Sequence, residues 1–312
     1  SRKRSEDINR RTKHYYFRVM TMVSPYKIFS PISFVLSAVI HAVLVALGIR
    51  RRKEVAGKVV LITGSACGLG RELALRFAKE GARLVLWDID KEGNENTAEI
   101  CRQFQSECHT YTIDVSRREL VYKTADEVRS EVGDVDILIS NAGITNDGKF
   151  MDVSDERICR VMEVNVMANI WITRSFLPSM LSKNCGHIVA ICSVAGLFGA
   201  SGLVDYSVSK FAFVGFVEAL RHELINLGKC GIKTTTICPF YFTSNMTSEL
   251  GPLSLPPKYS LLDLKMVADR TVEAILKEAD FLIIPRILYL LYFFKGMLPT
   301  KLYDWIVTRS AV

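Results

Sequence analysis

Val59-Val60-Leu61-Ile62-Thr63 runs without a break into Gly64-Ser65-Ala66-Cys67-Gly68-Leu69-Gly70, and residues 71–80 beyond it carry Leu73, Phe77 and Ala78 at helical spacing. A short apolar run, a glycine-spaced bend and an amphipathic helix in that order predict a buried strand that turns sharply into a helix. Glycine permits the tight bend and lets a pyrophosphate approach the free amides of the helix N-terminus. Working outward, further strands are expected at 84–88, 110–114, 137–141, 187–193, 233–238 and 281–284, separated by longer amphipathic stretches such as 204–227. That alternation predicts an α/β fold, a doubly wound and mostly parallel seven-stranded sheet that binds ligands at the carboxyl ends of its strands.

The turn residues Gly64, Ser65, Cys67, Gly68, Leu69 and Gly70 are therefore candidates to hold a dinucleotide. Asp88 closes the second strand 24 residues after Gly64, where a carboxylate accepts hydrogen bonds from both adenosine ribose hydroxyls. Its charge repels a 2′-phosphate, and neither Cys67 nor Ile89 offers a cation, so the expected cofactor is NAD. Asp114-Val115 would cradle the adenine and Asn141-Ala142-Gly143 would pass under the ribose, although either segment could simply cap its strand.

Tyr206 and Lys210 stand at i, i+4 on a predicted helix and so share one face. Most such pairs are surface decoration. This one is set apart by Ser193 at the end of an apolar strand thirteen residues upstream, and by Asn165 in the preceding helical segment. Oxidation of an alcohol requires a base for the hydroxyl proton, and a free phenol with a pKa of about 10 supplies little phenolate at neutral pH. The Lys210 ammonium would favour the phenolate of Tyr206 and hold the ribose hydroxyls, Ser193 would orient the substrate oxygen, and Asn165 would hold a water that relays the proton.

With those residues in view, the glycine turn at 63–70, Asn141-Ala142-Gly143, Asn165, Ser193 and Tyr206-x-x-x-Lys210 resemble the signature of the short-chain dehydrogenase/reductase family over roughly residues 55–285. The resemblance implies a Rossmann-type fold, a nicotinamide cofactor and commonly a homodimer. Leu86-Trp87-Asp88-Ile89-Asp90-Lys91-Glu92-Gly93-Asn94 and Gly231-Ile232-Lys233-Thr234-Thr235 resemble the branch of retinol and 17β-hydroxysteroid dehydrogenases. That branch implies an anchor in the endoplasmic reticulum or lipid-droplet membrane, NAD, and a lipophilic alcohol or aldehyde substrate: retinol first, a 17β-hydroxysteroid or long-chain alcohol as alternatives. Ser140 stands where the family usually has Asn, and Phe240 where Gly usually follows Pro239; Pro239 and Thr243 are still expected on the nicotinamide side. Residues 240–262, with Tyr241, Phe242, Met246 and Leu250, would form an apolar substrate lid. A non-catalytic lipid-surface protein that kept the nucleotide fold is the rival from another class.

The net charge of +7 is concentrated at one end: residues 1–53 hold twelve Lys/Arg against two Asp/Glu, leaving 28 basic and 31 acidic residues beyond. A mildly acidic body has no basic stripe for a phosphate backbone, which excludes nucleic acid. The reading divides the chain into a basic tail (1–27), a membrane anchor with a basic stop (28–53), a catalytic domain (54–285) and an interfacial C-terminal segment (286–312). Residues 28–49 carry no Asp, Glu, Lys or Arg and are about long enough for a membrane-crossing helix, with Arg50-Arg51-Arg52-Lys53 as its stop. Tyr289, Tyr292, Lys295, Lys301, Tyr303 and Trp305 give the C-terminal segment the aromatic and basic mix of a helix lying at a lipid surface, with packing against the catalytic domain as an equal alternative. The eight scattered cysteines lack metal-ligand spacing, so no metal is expected; they suit reduced thiols and a cytosolic body.

Overall fold

The computed structural model describes residues 52–248, 250, 251 and 261–310; the proposed anchor helix at 28–49 lies outside them. In chain order the elements are β1 (Val59–Thr63), α1 (Gly68–Lys79), β2 (Arg83–Asp88), α2 (Lys91–Arg102), β3 (Cys108–Thr112), α3 (Arg118–Glu131), β4 (Ile137–Ser140), α4 (Asp155–Met162), α5 (Ala168–Lys183), β5 (Gly186–Ile191), α6 (Val204–Asn226), β6 (Ile232–Pro239), the one-turn α7 (Asn245–Ser248), α8 (Leu264–Leu276), β7 (Phe281–Ile284), α9 (Leu288–Lys295) and α10 (Thr300–Ser310). A π-helical turn, Glu163–Met167, joins α4 to α5.

The seven strands form one sheet in the order β3-β2-β1-β4-β5-β6-β7, and every neighbouring pair is parallel. The expectation of a mostly parallel sheet is thus sharpened to an all-parallel one. Strand order reverses between β1 and β4, which opens a crevice at their carboxyl ends. Successive residues of β1 serve opposite faces. Val60 and Ile62 pack with α1 and α8, while Val59 and Leu61 pack with α3 and α5. Burial on both faces explains why β1 is an unbroken apolar run and not an alternating one. A third cluster joins Phe213 and Val217 of α6 to Ile283, with Leu288, Leu291 and Tyr303 of α9 and α10 packed against it.

Two strands end two residues away from the sequence expectation. β3 begins and ends two residues early, because Cys108 pairs with Leu84 and the chain leaves the ladder after Thr112, freeing Asp114 for Arg160. β5 stops at Ile191, since Ser193 caps a 3-10 turn by accepting a hydrogen bond from Ala195 N at 3.1 Å.

Half of the presumed basic stop belongs to the folded body. Arg52 pairs with Glu80 at 2.6 Å and Glu273 at 3.2 Å, and Lys53 N donates to Leu276 O at 2.8 Å. Among the described residues no helix is long and apolar enough to cross a membrane.

Candidate active site

At the crevice lies a cavity of about 900 Å³. Gly64, Cys67, Gly68, Leu69, Asp88, Asp114, Val115, Asn141, Ala142, Gly143, Ser193, Tyr206, Lys210 and Pro239 all line it, together with the lid residues Tyr241, Phe242, Met246 and Leu250. Four of the expected site residues are not on its wall: Ser65, Gly70, Asn165 and Thr243.

The glycine turn is built from behind. Ser65 is fully buried, and its hydroxyl donates to Asn94 Oδ1 at 2.7 Å. A β-carbon on Gly70 would sit 1.9 Å from Gly64 O, so nothing larger than glycine lets α1 start this close to β1. Asn141 spends its amide on the turn, donating to Thr63 O and Gly64 O at 2.9 and 3.0 Å. The Thr63 hydroxyl in turn accepts from Asn141 N and Ala142 N at 3.0 Å. Asp88 accepts from Ala66 N at 2.8 Å and Asp90 N at 2.9 Å, which locks the carboxylate at the turn's edge.

This rim fits a dinucleotide. No side chain caps the N-terminus of α1, so its first amides remain to be satisfied where Cys67, Gly68 and Leu69 meet the cavity. A β-carbon on Gly68 would meet nothing within 4 Å, leaving room for a phosphate to approach. Arg160 also reaches the cavity, a cation that local sequence patterns did not single out because it comes from α4 across the sheet end. It is matched by Asp114 at 2.9 Å and Glu163 at 3.8 Å. Partial burial pushes the Asp114 carboxyl up, but hydrogen bonds from Ser116 and Arg160 outweigh it and hold the group below its ordinary value.

At the other end, Lys210 is buried and its Nζ donates to Ile191 O at 3.1 Å, 5.5 Å from the centre of the Tyr206 ring. Burial lowers the Lys210 pKa. Burial pushes the Tyr206 phenol up to about 12, against a hydrogen bond with Ser193 that pulls it down. Tyr241 stands close by, and burial, followed by the Tyr206 and Asp147 charges, takes its phenol up to about 12 as well.

Asn165 is fully buried in the π-helical turn, and both polar atoms of its side chain are hydrogen-bonded. Its Oδ1 accepts from Ile144 N at 2.8 Å, and its Nδ2 donates to Ile144 O at 2.9 Å and Ser209 Oγ at 3.0 Å. Ser209 Oγ donates to Tyr206 O at 2.7 Å. The side chain therefore clamps the segment after β4 to the helix bearing Tyr206. Thr243 is exposed and its N–H goes to Leu262 O at 3.1 Å; Ser244 and Thr247 take its place on the wall. A buried contact that sequence reading missed, Asn146 Nδ2 to Asp205 Oδ2 at 2.5 Å, ties the first turn of α6 to the same segment.

The short chain dehydrogenase family model matches residues 58–253. Epidermal retinol dehydrogenase 2 of Homo sapiens is 46% identical over 267 residues, 85% of this chain and 86% of its own length. The 17-beta-hydroxysteroid dehydrogenase 13 of Rattus norvegicus is 42% identical over 240 residues, 76% of this chain and 77% of its own. A short-chain dehydrogenase/reductase from Burkholderia phymatum, solved in complex with NAD, superposes with a TM-score of 0.72 at 28% identity, covering 82% of this chain and 96% of that one. Fold, glycine turn and family model agree, and the chain belongs to the short-chain dehydrogenase family.

Proposed function

We propose that the protein is a membrane-associated NAD-dependent dehydrogenase that oxidises a lipophilic alcohol, with all-trans-retinol as the first substrate to test. One observation carries this reading: Ser193, Tyr206 and Lys210 share a cavity with the uncapped glycine turn, and its far side is lined largely by apolar side chains such as Phe198, Leu203, Phe240, Phe242, Leu262 and Leu291. Gly64, Cys67, Gly68 and Leu69 would hold the pyrophosphate of NAD, with Asp88 at the adenosine ribose and Lys210 at the nicotinamide ribose. When bound, the cofactor accepts hydride and brings a positive ring into the site.

Ser193 orients the alcohol oxygen and Tyr206 takes its proton. A phenol held near 12 is a reluctant base, so Tyr206 depends on added positive charge beside it, from Lys210 and from the cofactor. Asn165 is a positioning residue that sets where Tyr206 stands. The uncharged sequence at 28–49 supports work at a membrane surface, and the likeness to the retinol dehydrogenase branch favours the endoplasmic reticulum or lipid droplet, with the catalytic body in the cytosol.

A 17β-hydroxysteroid is the second reading, favoured by the similarity to the rat relative. NADH formation by membranes carrying the protein, with retinol, a 17β-hydroxysteroid and a fatty alcohol in parallel, separates the two. Tyr206→Phe should lower turnover by about 10²–10⁴-fold, the usual worth of a general base. Turnover kept by that variant removes Tyr206 from the role, and no NADH from any lipid alcohol favours a lipid-binding protein instead.

A further inference from the structure

Nine large hydrophobic residues are exposed between Ile287 and Trp305, among them Ile287 at 65%, Leu290 at 58%, Phe293 at 67% and Met297 at 67%. So dense an apolar patch on a folded body marks an interaction surface. Its underside is the cavity itself: Ile287, Leu288, Leu291 and Ile306 line both the catalytic cavity and a second apolar groove that continues outward past Leu290 and Phe294. Exposed Arg286 and Lys301 stand at its edges with Tyr292 and Trp305, a basic and aromatic rim of the kind that settles at lipid headgroups.

Two residues expected to join that rim turn inward. Tyr289 Oη donates to Phe281 O at 3.0 Å, and Lys295 Nζ donates to Leu197 O at 2.5 Å. The Lys295 ammonium also stands 5.8 Å from the centre of the Phe198 ring, so α9 is pinned to the segment that follows Ser193. The underside of the patch, Ile287, Leu288, Leu291 and Ile306, is therefore a fixed wall of the active site, while Leu290, Phe293 and Met297 stand outside the cavity lining.

Resting on the dehydrogenase reading above, we propose that the α9–α10 face docks on a lipid bilayer and that the substrate mouth opens inside the docked footprint, so that the alcohol enters from the acyl-chain layer and not from water. The lipid surface is the occupant favoured here because the same chain carries the uncharged run at 28–49, because the rim is basic and aromatic, and because the groove is continuous with an apolar cavity. Burying one such exposed side chain is worth about a factor of ten in an equilibrium constant, so a few charges placed here should undo the seating.

The test uses the full chain in phosphatidylcholine–phosphatidylserine vesicles, with Leu290→Glu, Phe293→Glu and Met297→Glu combined in one variant. Brominated lipid should quench Trp305 fluorescence in the wild type, with the quenched component absent in Trp305→Phe and reduced in the triple variant. Oxidation of vesicle-dissolved retinol should fall about tenfold or more in that variant, while retinol delivered on cyclodextrin to detergent-solubilised protein should be oxidised at the wild-type rate. An unquenched Trp305 overturns the docking, and is what a second copy of the chain seated on the face would give. Equal losses by both deliveries, or none by either, overturn the entry route. No NADH from the wild type with any alcohol removes the dehydrogenase reading and the entry route with it, while the quenching still decides whether the face meets lipid.

Discussion

Tyr206 shows how far one side chain's chemistry depends on what surrounds it. Its phenol lies at about 12 because burial penalises the phenolate, and only the bond with Ser193 opposes this. Alcohol oxidation uses the deprotonated form, so kcat/KM for oxidation should rise with pH and reduction of the aldehyde should fall, with the wild-type rise below the cofactor-free value of 12. Lys210→Met should move that rise to higher pH by removing a positive charge; a profile identical to wild type would separate Lys210 from the phenol. Asp88 makes a second residue-scale prediction. Its carboxylate guards the glycine turn, so Asp88→Ala should narrow the preference for NAD over NADP, read from the ratio of kcat/KM values. Because Ala66 N and Asp90 N also lose their acceptor, affinity for both cofactors should drop somewhat.

The π-helical turn Glu163–Met167 is the element on which the geometry of the reacting end hangs. Inserting one residue into the helical path aims Asn165 at Ile144 and Ser209, joining the β4 end, the π-helical turn and α6. Asn165→Ala would leave the Ile144 amide and carbonyl unpartnered in a partly buried setting, a loss of about 1–3 kcal/mol per orphaned group. Lower stability in urea together with a fall in kcat is therefore expected, with KM for NAD little changed because the glycine turn is braced separately by Asn141 and Thr63. A variant with normal kcat would deny Asn165 its positioning role. The α1 start is equally unforgiving. Gly70→Ala forces a β-carbon into Gly64 O, and NAD binding followed by calorimetry should be lost even where the fold survives.

At the scale of the whole molecule, the end of the sheet opposite the cavity holds a second set of coupled groups. Lys53 Nζ contacts His187 Nδ1 at 2.6 Å, and His187 Nε2 contacts Thr235 Oγ1 at 2.7 Å. Since Thr235 Oγ1 donates to Ala279 O, His187 Nε2 carries the proton and Nδ1 accepts from Lys53. Burial lowers the Lys53 pKa from 10.5 to about 8, against the charges of Glu278, Cys185 and Asp136. A lysine whose folded pKa is depressed binds fewer protons folded than unfolded between those two values, so the fold gains stability as pH rises from about 8 to 10.5. Urea midpoints across that range should climb more steeply in the wild type than in Lys53→Met; parallel curves would refute the depressed pKa.

From residue order alone one reads the alternation of strands and helices, the glycine turn, Asp88 at a strand end and the Tyr206–Lys210 spacing, because each is a local pattern whose meaning depends on neighbours a few residues away. Residue order does not say that Asn165 is a clamp, that Arg160 comes across to Asp114, that Lys295 and Tyr289 turn inward, or that Arg52 and Lys53 leave the presumed stop to join the body. Apart from the Tyr289 bond, which spans eight residues, those contacts link residues far apart in the chain. They exist only once a parallel sheet with right-handed crossovers has brought its carboxyl ends, and the helices that follow them, to one place.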